Sequence, residues 1–280
     1  MRRQAFSVRL RVPVMGVVER HGWLVEGRAG WGEVSPLRSW SEAESAASIR
    51  AAAEAASQPF PSMGEAVAVN AMVPRLAPDE AAALALASGC GTVKVKVGDA
   101  RGTDRVAAVR AAVGPRVRIR VDANGAWSVE QAVAEIERLR GYDIELVEDP
   151  VATLEDLALV RRRCSVPVAA ERAISSVADA KLVRSLNAAD AVVLKPQRIG
   201  GLAATLAAAE AAGVPAIASS ALETSVGLAA VLAAAAALPP GPFAHGVGTA
   251  LLLSDDVTTE PLSPIDGVLR VRRVVPDLVV

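Results

Sequence analysis

The sequence predicts an α/β protein whose larger part is a closed barrel of parallel strands, each followed by a helix. From about Val67 onward, short apolar runs alternate with alanine-rich helical stretches in seven or more units. Such units, joined by short turns, produce a parallel sheet with its helices outside. Their number and even spacing favour a closed barrel over an open sheet. The first strand is not followed by a glycine-rich phosphate-binding motif, which argues against a nucleotide-binding fold.

The N-terminal residues 1–35 predict a small antiparallel sheet instead. Alternating polar and apolar residues indicate half-buried strands, here Phe6–Val12, Trp23–Val25 and Gly30–Val34. A helix is then predicted from the N-cap Ser41, with Glu44 completing a capping box. It should run to about Ala56, because Pro59 and Pro61 prevent its continuation.

The barrel region predicts strands and helices in strict alternation. The predicted strands are Ala66–Met72, Thr92–Val97, Val117–Val121, Ile144–Val147, Val166–Ala170, Ala191–Leu194, Ala216–Ala218 and Phe243–His245. The predicted helices are Pro78–Ser88, Asp104–Val113, Ser128–Arg140, Leu154–Arg163, Val177–Leu186, Leu202–Ala212 and Thr224–Leu238. A last alternating segment, Gly267–Arg272, is expected to return to the N-terminal sheet, because chain termini often lie close together.

The composition argues against several classes of binding partner. The 280 residues are 52% hydrophobic with a net charge of −1, which supports a large core and argues against nucleic acid or an anionic membrane as partner. Two distant cysteines indicate a reducing compartment, and two histidines are too few for a histidine-based zinc site. The longest apolar run, Val226–Pro240, is too short to span a membrane, and no signal peptide is recognisable. We expect a cytoplasmic protein, with the oligomeric state open and a monomer favoured.

Charged residues end five successive predicted barrel strands. They are Lys96, Asp122, Glu148, Glu171 and Lys195, with spacings of 26, 26, 23 and 24 residues, one βα unit each. Because the carboxyl ends of barrel strands surround one opening, these side chains should converge there. Asn124 follows at the same strand end as Asp122, and Arg120, on the same strand face, is expected to pair with Asp122.

Three converging carboxylates cannot all stay ionised without a cation. Mg²⁺ prefers such oxygen ligands, so the pattern predicts Mg²⁺ held by Asp122, Glu148 and Glu171. The competing interpretation is that each acid caps the helix after its strand. Three acids in a row flanked by lysines favour the metal site.

Lys94 and Lys96 share one strand face, because side chains alternate along a strand. On an edge strand such lysines would oppose aggregation, but a closed barrel has no edge. A metal between lysines suits removal of a proton next to a carboxylate, since the metal stabilises the enediolate that forms. Lys94 and the metal should lower the pKa of Lys96 and make it the base. Lys195, on the opposite wall, is expected to be a second acid/base or a fixed positive charge.

The set Lys-x-Lys, Asp-Ala-Asn-Gly, Glu-Asp-Pro, an acid and Lys-Pro resembles the muconate-lactonizing subgroup of the enolase superfamily. The resemblance implies a lysine base that acts together with Mg²⁺. It also implies a modified (β/α)₇β TIM-like barrel with an α+β capping domain built from both termini. The domains would be residues 63–259 for the barrel, and residues 1–62 plus 260–280 for the capping domain.

Three further stretches, Gly30–Pro36, Ser219–Gly227 and His245–Thr249, resemble the o-succinylbenzoate synthase family. That resemblance implies a carbon–oxygen hydro-lyase of menaquinone biosynthesis acting on 2-succinyl-6-hydroxy-2,4-cyclohexadiene-1-carboxylate. It implies that Lys96 removes the α-proton and returns it to the leaving hydroxyl, while Lys195 stabilises the intermediate as a cation. It also implies that Ser219, Ser220 and the backbone at Gly248 line the end of the pocket that takes the succinyl arm.

Two positions depart from the family pattern. Glu171-Arg172 stands where the family usually has Asp-Glu, and Val14-Met15-Gly16 stands where related synthases often carry an aromatic residue, Arg and Gly. The alternative in the same superfamily is an N-succinylamino acid racemase, or a related epimerase or cycloisomerase, with Lys96 and Lys195 as bases on opposite faces. Outside it, the alternatives are a Schiff-base aldolase using Lys195 and a non-catalytic binding scaffold.

Overall fold

The computed structural model describes residues 2–277. Over that range the chain forms twelve strands, numbered β1–β12, and nine α-helices, numbered α1–α9, as a mixed α/β structure. An antiparallel sheet with one helix comes first, and a curled sheet of parallel strands with outer helices follows. The predicted fold class is therefore confirmed.

The N-terminal unit, defined here as residues 3–57, consists of β1 (Arg3–Val14), β2 (Val17–Gly27), β3 (Gly30–Val34) and α1 (Glu42–Ser57). The three strands are antiparallel neighbours in chain order. The capping box is present: Ser41 Oγ accepts from the Glu44 backbone N–H, and the Glu44 carboxylate accepts from the Ser41 N–H at 2.7 Å. A Cβ on Gly32 would collide with the Ala52 carbonyl oxygen, so only glycine lets β3 approach α1 this closely.

The remaining strands are β4 (Ala66–Ala68), β5 (Ala71–Val73), β6 (Thr92–Lys96), β7 (Arg118–Asp122), β8 (Ile144–Glu148), β9 (Val168–Ala170), β10 (Ala191–Leu194), β11 (Ala216–Ala218) and β12 (Val268–Arg270). The remaining helices are α2 (Pro78–Ala87), α3 (Gly102–Val113), α4 (Val129–Leu139), α5 (Leu154–Arg163), α6 (Val177–Leu186), α7 (Pro196–Ile199), α8 (Leu202–Ala212) and α9 (Ser225–Ala237). Most ends lie within two residues of the prediction, and α7 is an addition to it.

The barrel is built from β5 to β11, which are parallel and adjacent in chain order. The predicted eighth strand, Phe243–His245, is reduced to single-residue bridges. These still close the ring: the His245 N–H donates to Ala68 O, His245 O accepts from the Asn70 N–H, and the Gly246 N–H donates to Ala218 O, each at 2.8 Å. The order of elements is therefore (β/α)₇β, as the resemblance implied.

The predicted strand Ala66–Met72 is wrong as a single element. It is divided between two sheets, because β4 pairs antiparallel with β12 whereas β5 begins the barrel. The return of Gly267–Arg272 to the N-terminal sheet is also wrong, since its strand β12 pairs with β4. Alternation identified a strand in both cases, but it contains no information about the partner strand.

The predicted division into a barrel and a capping domain at residues 62 and 260 stays a prediction, and Met1 and residues 278–280 lie outside the described range. The C-terminal segment does contact the N-terminal unit. The Arg273 guanidinium donates to Ala55 O and Gln58 O at the end of α1, and it lies 3.5 Å from the ring centroid of Phe60.

The core lies between the barrel strands and the helices around them. The alanine-rich helix α9 is buried on nearly all sides. Within the described range, every helix is too short or too polar to cross a bilayer.

Candidate active site

Register alone brings the predicted site residues side by side. Lys96 on β6 is aligned with Asp122 on β7, and Asp122 is aligned with Glu148 on β8. All of these are buried at the carboxyl end of the barrel, where parallel strands present their terminal side chains to a common opening. The convergence that the sequence predicts is therefore present.

Lys96 is held by two oxygen atoms of the next strand end. Its Nζ lies 2.6 Å from Asp122 Oδ2 and donates to Asn124 Oδ1 at 3.0 Å. Asn124 adopts a left-handed backbone conformation with φ of 54°, which asparagine tolerates better than most residues, and its N–H donates to Asp122 Oδ1 at 2.9 Å. Asn124 thus orients both the lysine and the carboxylate.

Lys94 lies deeper in the barrel than Lys96 and contacts two carboxylates. Its Nζ lies 2.8 Å from Glu148 Oε1 and 3.1 Å from Asp122 Oδ2. Burial alone would lower the pKa of Lys94, but the charges of Glu148 and Asp122 outweigh burial and raise that pKa. The raised pKa favours the ammonium form of Lys94, which neutralises part of the charge of the acidic cluster.

Lys96 behaves in the opposite way. Burial lowers the pKa of the Lys96 ammonium; the Asp122 charge raises it, the Lys94 charge lowers it, and the net direction is down. The predicted pKa depression of Lys96, with Lys94 as one of its causes, agrees with this direction. Two lysines two residues apart thus differ in kind, since one is a fixed charge and the other is easier to deprotonate.

Lys195 occupies the opposite side of the ring, because β10 lies four positions from β6 among eight. Its Nζ lies 2.8 Å from Glu171 Oε2. Burial raises the pKa of the Glu171 carboxyl, but the charge and hydrogen bond of Lys195 outweigh burial and lower that pKa.

The other carboxylate oxygen of Glu171, Oε1, lies 3.4 Å from Nη1 of Arg198. Arg198, on the additional helix α7, also binds Glu44 of the N-terminal unit at 2.5 Å.

Asp149, in the Glu-Asp-Pro motif, is a buried acid for which the sequence predicts no role. Its two carboxylate oxygens accept from the backbone N–H groups of Glu171 and Arg172 at 2.9 and 2.8 Å. It therefore ties the end of β8 to the residues after β9. Burial and the nearby acids Glu171 and Glu148 raise the pKa of the Asp149 carboxyl.

The acidic cluster could hold a metal ion. Glu148, Asp149 and Glu171 each place one carboxylate oxygen within 4.8 Å of the others, and Asp122 joins Glu148 through the ammonium of Lys94. Hard oxygen ligands of this kind suit Mg²⁺. The geometric group includes Asp149 where the sequence predicted Asp122, but both Asp149 oxygens already accept backbone hydrogen bonds.

A cavity lies above these side chains and is lined by Ser219, Ser220 and other residues, among them Met15, Met72 and Thr249. Ser220 Oγ and Thr249 Oγ1 share a hydrogen bond of 2.5 Å. Gly248 packs closely against Asn70, and its neighbours Gly246 and Thr249 line the cavity. Met15, in the turn between β1 and β2, approaches Lys96 Nζ with its sulfur at 3.9 Å, so the N-terminal unit covers the lysine.

Two arginine side chains close to the cluster in sequence lie outside it. Arg120 does not pair with Asp122, contrary to the prediction; it pairs with Glu145 at 2.5 Å and donates to Ala244 O at 2.7 Å, because its side chain extends toward the other end of the barrel. Arg172, which stands where the family usually has an acid, is exposed. Its side chain therefore leaves the carboxylate cluster unaltered.

Fold and site define the class: a barrel protein of the enolase type with an N-terminal α+β unit and a lysine–carboxylate centre. The family models agree, since residues 77–276 match the enolase C-terminal domain-like family and residues 5–56 match the enolase N-terminal domain-like family. The structure is similar to the L-Ala-D/L-Glu epimerase from Bacillus subtilis, with a TM-score of 0.84, 24% identity and coverage of 97% of this chain and 95% of that one. At that identity the likeness concerns the fold alone.

Sequence comparison is more specific. The chain is 49% identical to the o-succinylbenzoate synthase of Thermobifida fusca (strain YX), covering 97% of this chain and 87% of that protein. It is 42% identical to the o-succinylbenzoate synthase of Mycobacterium ulcerans (strain Agy99), covering 99% of this chain and 86% of that one. The chain belongs to the o-succinylbenzoate synthase family.

Proposed function

We propose that this chain is a Mg²⁺-dependent carbon–oxygen lyase that dehydrates 2-succinyl-6-hydroxy-2,4-cyclohexadiene-1-carboxylate to o-succinylbenzoate, a step of menaquinone biosynthesis. The observation that carries the proposal is the 49% identity to an o-succinylbenzoate synthase over 97% of this chain, together with the pair of strand-end lysines on opposite sides of one cavity. Lys96 lies 2.6 Å from Asp122 and Lys195 lies 2.8 Å from Glu171. The names of the curated relatives supply the substrate class.

Lys96 is the base in this proposal. Its lowered pKa makes the neutral amine more accessible than in an ordinary lysine, and Asn124 and Asp122 fix its position. The amine takes the proton from C1, the carbon next to the substrate carboxylate. The same nitrogen then gives the proton to the C6 hydroxyl on the same face, which leaves as water.

The electron balance closes within the substrate. The C1–H bond and the C6–O bond break, and the electron pair of the former becomes the new C1–C6 double bond of the aromatic ring. Lys195, as an ammonium on the face of the substrate opposite Lys96, stabilises the negative charge that develops on the substrate carboxylate. It needs no proton transfer in a syn elimination.

Asp122, Glu148 and Glu171 are the residues proposed to hold Mg²⁺. A bound ion would supply positive charge that makes the C–H next to the substrate carboxylate more acidic. Asp149 follows Glu148 in the chain and accepts from the backbone N–H groups of Glu171 and Arg172, so it links the Glu148 and Glu171 positions. Lys94 balances the charge of Asp122 and Glu148 from below.

The substrate arm is proposed to occupy the end of the cavity lined by Ser219, Ser220 and Thr249. Hydroxyls and backbone groups there can hydrogen-bond a succinyl chain, while Met15 and Met72 contribute apolar surface. Backbone atoms near Gly248 complete that end. The partner expected is this small carboxylate; cytoplasmic location and a monomeric state stay predictions from sequence.

A second candidate is an N-succinylamino acid racemase or a related epimerase or cycloisomerase. The observation in its favour is that both lysines face the cavity from opposite sides, as a two-base reaction requires. The single variants Lys96→Ala and Lys195→Ala discriminate, because a racemase should lose α-proton exchange with one enantiomer in each. A Schiff-base aldolase would instead be trapped by borohydride and be insensitive to EDTA.

The test is to incubate the protein with the cyclohexadiene carboxylate and Mg²⁺ and to follow the absorbance change of aromatisation. We expect turnover that EDTA abolishes and Mg²⁺ restores. A folded protein that binds Mg²⁺ but leaves this substrate unchanged would refute the substrate assignment. Turnover that persists in EDTA would refute the requirement for Mg²⁺.

A further inference from the structure

The last two long barrel helices, α8 and α9, begin differently from α2 to α6. Helices α2 to α6 each have an acidic residue in the first turn, where carboxylates offset the positive helix N-terminus. Helices α8 and α9 have none, and their N-cap residues, Gly201 and Thr224, make no side-chain cap. Their first backbone N–H groups therefore need acceptors from elsewhere in the chain.

For α8 the acceptor is Glu54 of α1. Glu54 Oε2 accepts from the Leu202 N–H at 2.6 Å, and Oε1 accepts from the Ala203 N–H at 3.0 Å. A Cβ on Gly201 would collide with Glu54 Oε2, and Gly201 has a φ of +113°. Residue 201 must therefore be glycine, and the carboxylate of the N-terminal unit occupies the place of a local cap.

For α9 there are two acceptors: Asp256, which accepts from the Ser225 N–H at 3.1 Å, and Glu33 of β3. Oε2 of Glu33 accepts from the Thr224 N–H at 3.1 Å and from the Gly227 N–H at 3.0 Å, and the Thr224 hydroxyl also donates to it. A Cβ on Gly227 would lie 2.9 Å from the Glu33 carboxyl carbon. As with Gly201, the absence of a side chain at Gly227 leaves room for a carboxylate of the N-terminal unit at the start of the helix.

These two helix starts are close to the candidate site along the chain. Lys195 immediately precedes α7, whose Ile199 N–H donates to Lys195 O at 3.0 Å, and only Gly200 and Gly201 separate α7 from α8. Ser219 and Ser220 lie between β11 and α9. Each capped helix is therefore the next long element after one wall of the cavity.

We propose that Glu33 and Glu54 are positioning residues, which cap α9 and α8 from the N-terminal unit and thereby fix the segments bearing Lys195, Ser219 and Ser220. This rests on the proposed function, because it assigns Lys195 to the reaction. The N-terminal unit then has two contributions to the site: it covers Lys96 through Met15, and it holds the opposite wall by two carboxylates. Neither Glu33 nor Glu54 lines the cavity.

The experiment compares Glu54→Gln with the double variant Glu54→Gln/Ala203→Glu. Ala203 is exposed in the first turn of α8, so the added acid restores charge at the helix start without restoring the link to α1. Glu42→Gln is the matched control, since Glu42 is an exposed acid in the first turn of α1. Melting temperature, kcat and KM for the cyclohexadiene carboxylate are measured for all of them.

For Glu54→Gln we expect the melting temperature to fall by about 2–4 °C, the size of a lost cap in a protein of this length. We expect kcat to fall about tenfold with KM within about twofold, because a displaced charge is felt mainly in the transition state. The double variant should recover the melting temperature and keep the low kcat. Recovery of both, or a kcat equal to that of Glu42→Gln, would overturn the proposal.

Amide hydrogen exchange separates this proposal from the proposed function. If wild-type protein does not turn over the substrate, the proposed function fails, and exchange at residues 195–201 still decides the positioning role. Faster exchange there in both Glu54→Gln and the double variant supports it; wild-type exchange in the double variant overturns it. If Glu54→Gln does not fold, Glu54→Asp, which keeps the charge but is one methylene shorter, is compared with Glu42→Asp by the same measurements.

Discussion

The ammonium nitrogen of Lys96 lies 2.6 Å from Oδ2 of Asp122, and the same oxygen lies 3.1 Å from the ammonium nitrogen of Lys94. One carboxylate oxygen therefore serves two lysines with opposite pKa shifts. Lys94 also binds Glu148 and has a raised pKa, whereas Lys96 has a lowered one. The proposed roles of Lys94 as a fixed cation and of Lys96 as the base are consistent with these opposite shifts.

The rate of dehydration should depend on pH through Lys96. In the proposed mechanism the neutral amine is the active form, so kcat/KM should rise with pH and level off once pH exceeds the pKa of Lys96. Burial is the first cause that lowers this pKa, so the inflection should lie below the usual lysine value of about 10.4. A pH–rate profile of kcat/KM measures it.

The variant Lys94→Met tests whether Lys94 sets the pKa of Lys96. It removes the positive charge that lowers the pKa of Lys96 and frees Asp122 and Glu148 to raise it. Both effects act in one direction, so the inflection should move to higher pH. An unchanged or lower inflection would show that Lys94 does not set the protonation of Lys96.

Mg²⁺ should raise the melting temperature of the wild-type protein, since a ligand that binds only the folded state stabilises it. Glu148→Gln and Glu171→Gln should lose most of that increase, because each removes a proposed ligand. Glu137→Gln, at an exposed position on α4, should keep it. Differential scanning fluorimetry over a Mg²⁺ titration is sufficient; equal increases in all variants would place the ion elsewhere.

Much of this site could be predicted from sequence because its residues lie at strand ends. Lys96, Asp122, Glu148, Glu171 and Lys195 recur once per βα unit, so their convergence needed only a barrel. Contacts between distant segments left no comparable signal. Asp149 binds the backbone of Glu171 and Arg172, and backbone donors leave no pattern in side-chain identity.

The errors in the fold have the same origin. Residues 66–72 are predicted as one strand because both halves alternate, yet β4 pairs with β12 and β5 with β6. Helix α7, four residues long, is too short to show helical periodicity. Arg120 shares a strand with Asp122, but a long arginine side chain can reach toward either end of a barrel, and it reaches Glu145.

Arg172→Ala should leave kcat and KM within about twofold of wild type. The Arg172 side chain is exposed, and the residue's contacts at the site are made by its backbone, which donates to Asp149 and accepts from Arg198. Surface substitutions of this kind usually change stability by less than about 0.5 kcal/mol. Steady-state kinetics test it, and a tenfold loss of kcat would mean that the Arg172 side chain enters the site during the reaction.

Glu33 should make stability fall as pH rises from about 4.5 to about 7. Burial is the main cause that raises the pKa of Glu33 to about 7, with the Glu223 charge adding to it and hydrogen bonds from Ser35 and Thr224 and the charge of Arg20 opposing it. In that window the folded state holds a proton that the unfolded state has lost. The free energy of unfolding therefore decreases with pH, by up to a value on the order of 3 kcal/mol.

Urea denaturation of wild type and Glu33→Gln at several pH values measures this slope. The difference in unfolding free energy between the two proteins should change across the window and become constant on either side of it. Glu42→Gln, which removes an exposed acid, should run parallel to wild type. A Glu33→Gln curve parallel to wild type would show that Glu33 does not titrate in this range.

The most direct test of the proposed mechanism is the single-turnover rate of dehydration by Lys96→Ala in saturating Mg²⁺, with Lys181→Ala, an exposed lysine on α6, as control. Loss of a positioned general base typically costs a factor of about 10² to 10⁴. We predict a fall of at least about 10³-fold for Lys96→Ala and a rate within about twofold of wild type for Lys181→Ala. A Lys96→Ala protein that is folded, binds Mg²⁺ and dehydrates the substrate within about tenfold of the wild-type rate would contradict the assignment of Lys96 as the base.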